Sequence, residues 1–296
     1  MIHGVLLLDK PVGRTSNAAL QAAKRLFRSR KAGHGGTLDP LASGLLPVLF
    51  GEATKFAHGA LDADKEYLPT VCLGVATDTG DAEGKVIQRK DVSVSDQALQ
   101  TALRHFRGEI EQVPPMHSAL RCEGRRLYEL ARAGRTVERK PRVVTISGLE
   151  LLSRSGNTVE LQVRCSKGTY IRTLAEDLGK TLGCGAHLAA LRRTAVGRLR
   201  VEDAATLDEL EAADESRRRR FLLPPDALLD HLPEVRLGSD DEWRVRRGQS
   251  ARDAGAALGA CRLYGVGGEF LGLGRGAANG VHPVRLVSER ADRALK

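Results

Sequence analysis

The chain has 296 residues, 42% of them hydrophobic, which is enough apolar material for a sizeable core and excludes global disorder. Lys and Arg outnumber Asp and Glu by 46 to 37, a formal charge of +9 that favours a polyanionic partner, nucleic acid ahead of a membrane surface. The five cysteines show no CxxC spacing, which argues against a zinc site or a disulfide framework and for a reducing compartment.

In chain order, "GVLLL" (4–8) reads as a buried strand that stops at Asp9, Lys10 and Pro11. That apolar run is too short for a signal peptide, and no stretch approaches the roughly eighteen apolar residues of a membrane span, so the expected location is cytoplasmic. "SNAALQAAKRLF" predicts a helix capped by Ser16, with Leu20, Ala23 and Phe27 on one face. "GLLPVLF" reads as a second apolar strand. Residues 142–166 predict a hairpin turning at "SGN", its second strand alternating Val159, Leu161, Val163 and Cys165 against Glu160, Gln162 and Arg164. "GTYIRTLAEDLGKTLG" predicts a helix with Leu174, Leu178 and Leu182 four apart and Gly183 as its stop. Interleaved strands, hairpins and helices make the class α+β. Past about residue 231 short apolar pieces separated by glycines indicate a small all-β unit. The run Arg217–Arg220 reads more readily as a solvated helix face than as a phosphate contact.

The segment "GHGGTLDPLASG" (33–44) is poorly suited to a helix or strand interior, having four glycines in twelve residues. On the residues alone Asp39 is a cap or turn acid beside Pro40, although Gly44 and Pro47 leave room for barely one helical turn. A functional acid on the loop is the other reading. No GK[ST] follows these glycines, no GxSxG elbow exists to use the "HGG" as an oxyanion loop, and no HExxH suggests a metal. "TDTGDAEG" (77–84) does not fit an EF-hand loop and reads as a structured turn. What remains is a carboxylate acting without a metal.

"LLLDKPVGRTSN", "GHGGTLDPLASGLLPVLFGEATK", "DKEYLPTVCLGVATDTGDAEG", "PPMHSALRCEGRRLYELARAG" and "CSKGTYIRTLAEDLGKTLGCGAHLAALRR" together resemble the successive motifs of the TruB-type tRNA pseudouridine synthases. The resemblance covers nearly the whole chain. It implies the pseudouridine synthase fold, a mixed, largely antiparallel sheet flanked by helices in residues 1–230, with a PUA-like RNA-binding barrel in 231–296. It implies isomerisation of the uridine at position 55 in the T-arm loop of tRNA, with no cofactor or metal. Asp39 takes the place of the family's catalytic aspartate. Arg172 would pair with it, the cation lowering its pKa. Tyr67 would stack on the flipped uracil and assist removal of the C5 proton. His34 would enter the space the base vacates, and Lys10, Lys65, Tyr170 and Leu191 look like pocket or RNA-contact positions.

Taken alone these residues read more plainly: Arg172 as a surface arginine, Tyr67 and Leu191 as core, His34 as a turn histidine. The sequence departs from the family's usual G-H-T-G-[TA]-L-D-P at Gly35, where Thr is common, and the lost side chain is expected to loosen the loop. His117 stands where an aromatic ring is frequent. A tRNA-folding chaperone without catalysis and a guide-RNA-dependent relative are the alternatives. Intact Asp39, Tyr67 and Arg172 argue against the first. The compact tail, without long Lys-rich extensions, favours a standalone monomer over the second.

Overall fold

Apolar runs too hydrophobic to face water on either side form the middle of the main sheet. In the computed structural model, which describes residues 2–118, 120–122, 124–252 and 258–288, β1 is Gly4–Lys10 and β3 is Ala42–Phe50, and nearly every residue of both is buried. Ala119 and Glu123 of the "PPMHSALRCEGRRLYELARAG" segment lie outside the described residues. Helix α1 (Ser16–Leu26) packs Leu20, Ala23 and the following Phe27 onto this layer, with Phe27 and Phe50 rings 5.0 Å apart. Its cap is Thr15, whose Oγ1 accepts from Ala18 N at 3.1 Å, and not Ser16. Either hydroxyl suits a cap. Ser16 is buried, and its hydroxyl is taken by a longer-range pair, accepting from Leu38 N at 2.7 Å and donating to Leu38 O at 2.9 Å.

Strand β2 (Ala32–His34) pairs with β3, and after the short helix α2 (His58–Asp62) comes β4 (Lys65–Leu73), which buries every second residue. The hairpin β5–β6 (Val75–Thr77, Val86–Arg89) follows, then α3 (Asp96–His105) and β7 (Gly108–Gln112). Two-residue strands β8 (Arg121–Cys122) and β9 (Arg125–Arg126) lead into α4 (Leu127–Arg132). The expected hairpin is present as β10 (Arg142–Ser155) and β11 (Thr158–Cys165), with Gly156 at φ +58 in a two-residue turn. The expected helix is α5 (Ile171–Thr181), stopped by Gly183 at φ +76. Strand β12 (Ala186–Val196) then crosses the middle of the sheet.

Among the described residues the main sheet has ten strands. Its main path runs from a two-residue strand at Leu222–Leu223 through β1, β3, β12, β4, β11, β10 and β7. Only the β12–β3 pair in it is parallel, so the layer is mixed and largely antiparallel. Helices α3 and α5 cover β4, β10 and β11 with Leu99, Leu103, Leu174 and Leu178, while α1 covers β1 and β3.

Near the C-terminus a four-stranded sheet forms from Glu234–Arg236, Gly259–Tyr264, Phe270–Ala277 and Gly280–Leu286, around a core that includes Leu263, Leu271 and Val281. It also carries a helix, Ser239–Arg246, whose almost wholly polar sequence gives no amphipathic signal. This unit docks on the larger one through Phe56 and Phe270, rings 5.1 Å apart. Polar contacts surround them: Lys55 Nζ donates to Leu286 O at 2.9 Å, and Ser288 N to Glu52 Oε2 at 2.6 Å.

Candidate active site

The 33–44 segment is held at several points along its length. Gly35 N donates to Pro47 O at 2.8 Å, Ser16 grips both polar groups of Leu38, and Gly13 N donates to Pro40 O at 2.8 Å. Asp39 thus sits on a braced turn. The expected looseness at Gly35 is not found. A Cβ there would lie 2.4 Å from the Ala60 Cβ of α2, so the space a threonine would fill is already occupied.

Arg172, in the first turn of α5, reaches Asp39: its Nε lies 3.1 Å from Oδ2. The same Nε lies 3.6 Å from Asp81 Oδ2, Nη1 donates to Thr79 O at 3.1 Å, and Nη2 donates to His117 O at 2.6 Å. Arg172 is buried, where the isolated sequence suggested a surface arginine. At His117 the protein uses the main-chain oxygen, which any residue supplies. Asp81 is itself fixed, its Oδ1 accepting from Thr79 Oγ1 at 2.6 Å and from Glu83 N at 3.1 Å.

The Asp39 side chain remains 39% exposed, yet most of its surroundings are protein. Burial raises its pKa above the ordinary aspartate value, against Arg172 and Lys10, which lower it, while the Asp81 carboxylate adds to the rise. The expected effect of the Arg172 cation is present but does not prevail. Glu83 and Glu176, near the same arginine, are also raised, chiefly by burial.

Tyr67 is buried on β4, opposite Val163 on one side and Arg193 on the other. Burial raises its phenol pKa, and the charge of the Arg193 guanidinium opposes this. His34 ends β2 with a buried Nδ1 that has no hydrogen-bond partner, and burial lowers its pKa. Tyr170 precedes α5, with its main chain clamped by Gln112: Tyr170 N donates to Oε1 at 2.9 Å, and Nε2 donates back to Tyr170 O at 3.2 Å. Leu191 lies on β12 between Ala42 and Pro69, half-buried against the core.

Both lysines are committed to main chain. Lys10 Nζ donates to Pro11 O at 2.8 Å and Arg14 O at 2.6 Å, and burial brings its pKa down to about 8 against the pull of Asp39 and Glu83. Lys65 Nζ donates to Leu61 O at 2.8 Å and Ala63 O at 2.5 Å, and burial brings it to about 8 as well. Asp39, Arg172 and Lys10 therefore gather at one place, with Tyr67 close enough to sense the Asp39 charge. Lys65 braces the turn before Tyr67. Sequence reasoning missed Asp81, Ser16 and Arg193.

Three family descriptions match the chain in succession. They are TruB family pseudouridylate synthase (N terminal domain) over residues 24–171, tRNA pseudouridylate synthase B C-terminal domain over 172–230, and Pseudouridine synthase II TruB, C-terminal, over 233–287. The tRNA pseudouridine synthase B of Azoarcus sp. (strain BH72) is 53% identical, covering 97% of this chain and 96% of its own. That of Burkholderia mallei (strain NCTC 10247) is 54% identical, covering 97% of each. Among solved structures, a Cbf5-Nop10-Gar1 complex matches with a TM-score of 0.75 and 28% identity, over 97% of this chain and 86% of the other. An H/ACA RNP bound to a substrate RNA containing 2'-deoxyuridine matches with a TM-score of 0.74 and 26% identity, with the same coverage.

Proposed function

Since the chain belongs to the TruB family of pseudouridylate synthases, we propose that its target is the uridine at position 55 in the T-arm loop of tRNA. The protein is an isomerase that converts uridine to pseudouridine in tRNA. The N1–C1′ bond breaks, the uracil turns, C5 bonds to C1′, the proton on C5 is removed and N1 takes up a proton, so that the product is an isomer of the substrate. The observation that carries the site assignment is the Asp39–Arg172 pair. A carboxylate open on one side is held 3.1 Å from an arginine that is itself fixed by Asp81 and two carbonyls.

In this reading Asp39 acts at the sugar–base junction and Arg172 orients it. Tyr67 stacks on the extruded base and receives the C5 proton, and a buried aromatic surface offsets part of the unstacking cost. Tyr170 and Leu191 line the base pocket, and His34 fills the gap left in the loop. Lys10 sets the field at Asp39, and Lys65 holds the approach to Tyr67. Residues 1–230 perform the chemistry and 231–296, the PUA-like part, add affinity elsewhere on the tRNA. The protein acts as a cytoplasmic monomer without guide RNA. Supporting this is the contrast between 53–54% identity to tRNA enzymes and 26–28% to the ribonucleoprotein components.

The test is to incubate the purified protein alone with an unmodified tRNA transcript and map pseudouridine. One modified site, at position 55, is expected. Modification elsewhere, or a requirement for added RNA or protein, would count against the reading.

A further inference from the structure

Arg193 has no part in the scheme above, yet it lies at the centre of the sheet under it. Strand β12 runs between β3 and β4, so Arg193 is paired with Gly44 on one side and Tyr67 on the other. Gly44, at φ +102, permits this approach, since a Cβ there would lie 2.2 Å from Arg193 O. Only 1% of Arg193 is exposed. Its Nε donates to Leu45 O at 2.7 Å and its Nη2 to Gly36 O at 3.2 Å, positions on either side of Asp39 in the chain, and Arg193 is the cross-strand partner of Tyr67. Among the described residues no carboxylate lies within ion-pair distance of it. A buried guanidinium without a counter-ion is costly, and an apolar side chain would fill the same space more stably. What arginine alone supplies is a planar fork of donors and a permanent charge. The groups facing Tyr67 are Arg193 from β12, Cys165 from β11 and Asp39 from the loop, and of these only Arg193 favours a negatively charged oxygen.

We propose that Arg193 is a positioning residue for pseudouridine formation. Anchored to the backbone on both sides of Asp39, it holds a positive charge beside Tyr67 that favours the phenolate able to take the C5 proton. This rests on the reading of Tyr67 as the proton acceptor.

The experiment is a double-mutant cycle on Arg193→Gln and Tyr67→Phe, read by single-turnover tritium release from tRNA labelled at C5 of the target uridine. Beside it the Tyr67 phenol is titrated by NMR of ring-labelled tyrosine, assigned by its loss in Tyr67→Phe. Arg193→Gln is expected to slow tritium release roughly ten- to a hundredfold with tRNA affinity within a few-fold, the scale of a hydrogen bond to a charged group. The phenol should titrate at higher pH, and in the Tyr67→Phe background the same substitution should add little. Arg193→Lys keeps a cation, should restore most of the phenol titration, and carries the same cycle where the Gln variant does not fold. Effects that multiply in the double variant, or a phenol titration unmoved by Arg193→Gln, overturn the proposal and leave a structural clamp. Near-wild-type release from Tyr67→Phe alone overturns instead the reading of Tyr67.

Discussion

Two places in this chain use the same three residue types. At the candidate site they are Asp39, Arg172 and Tyr67; at the junction with the C-terminal unit they are Asp226, Arg262 and Tyr264. The junction cluster closes on itself. The Asp226 side chain, 9% exposed, accepts a short hydrogen bond from the Tyr264 hydroxyl and lies 3.2 Å from Arg262 Nη1. Arg262 also donates to Leu232 O at 3.1 Å and to the Tyr264 oxygen at 2.9 Å, and pairs with Glu234 at 3.2 Å. The Asp39 cluster does not close. Asp39 is 39% exposed, its arginine is shared with a second carboxylate, and its tyrosine is paired across the sheet with another arginine. Capacity left unmet on an open side, rather than residue type, separates a place for chemistry from a lock.

The largest difference should appear on removing each carboxylate. Asp39→Asn is expected to lower turnover by roughly ten-thousandfold or more, the scale of an essential acid–base or nucleophilic group. Stability and tRNA affinity should change little, because Arg172 keeps Asp81. Asp226→Asn is expected to leave single-turnover rates near wild type and lower stability by about 1–3 kcal/mol. Enzyme-like rates from the Asp39→Asn variant, measured by product mapping, would remove the distinction.

Next in size is the acid limb of kcat/KM. If Asp39 acts as the anion, as proposed, its raised pKa means that activity should fall with decreasing pH at values above those of an ordinary aspartate. Arg172 opposes that rise. Arg172→Met should therefore move the limb to still higher pH, while Arg172→Lys keeps a cation and moves it less. A limb that stays in place in the Met variant would show that Arg172 does not set the ionisation of Asp39.

Strands β1, β3, β10 and β11 could be read from sequence because their apolar runs and alternation are local. The inward position of Arg193 could not. From Ala186 and Leu188, strict alternation would carry Arg192 onto the buried face. A bulge between Leu188 and Ala190 shifts the phase, so that Leu191 and Arg193 face inward and Arg192 pairs with Asp9 instead. Asp81 was hidden for a different reason. Its turn reads as such, but its burial is created by Arg172, which the sequence places on a distant helix. Asp39 could be named only through the motif, since a Gly-rich loop with one acid is as good a turn as a site. Ser16 was read as a cap because the alternative partner, Leu38, is not a local one.

A smaller effect tests whether the loop that carries Asp39 is tightly packed at Gly35. Restoring the family's usual residue by Gly35→Thr drives a Cβ into Ala60 and should cost about 1–3 kcal/mol, as overpacking generally does. Ala60→Gly removes the atom in the way, so the double variant should recover part of the loss. Additive losses in thermal melts would mean that Ala60 is not what fills the space.

The smallest stability effect comes from Tyr264→Phe, set against the same substitution at Tyr67. Tyr264→Phe removes a hydroxyl that Asp226 accepts from, but Asp226 keeps Arg262, and the ring keeps its edge contact with Phe270, 5.8 Å between centroids. Burial and the neighbouring carboxylate both push the Tyr264 phenol up, so it stays protonated and contributes two hydrogen bonds, one donated to Asp226 and one accepted from Arg262, and nothing catalytic. The expected loss is therefore about 1–2 kcal/mol of stability, the net worth of two such bonds, with C5-tritium release unchanged. Tyr67→Phe should act on the rate instead. Its phenol is paired across the sheet with the Arg193 cation, and losing the oxygen should slow tritium release by roughly a hundred- to ten-thousandfold. Thermal melts and single-turnover assays on the two variants read both quantities. Equal tritium-release rates would mean that the two tyrosines do the same work, and that the open side of Asp39 has no bearing on which one reacts.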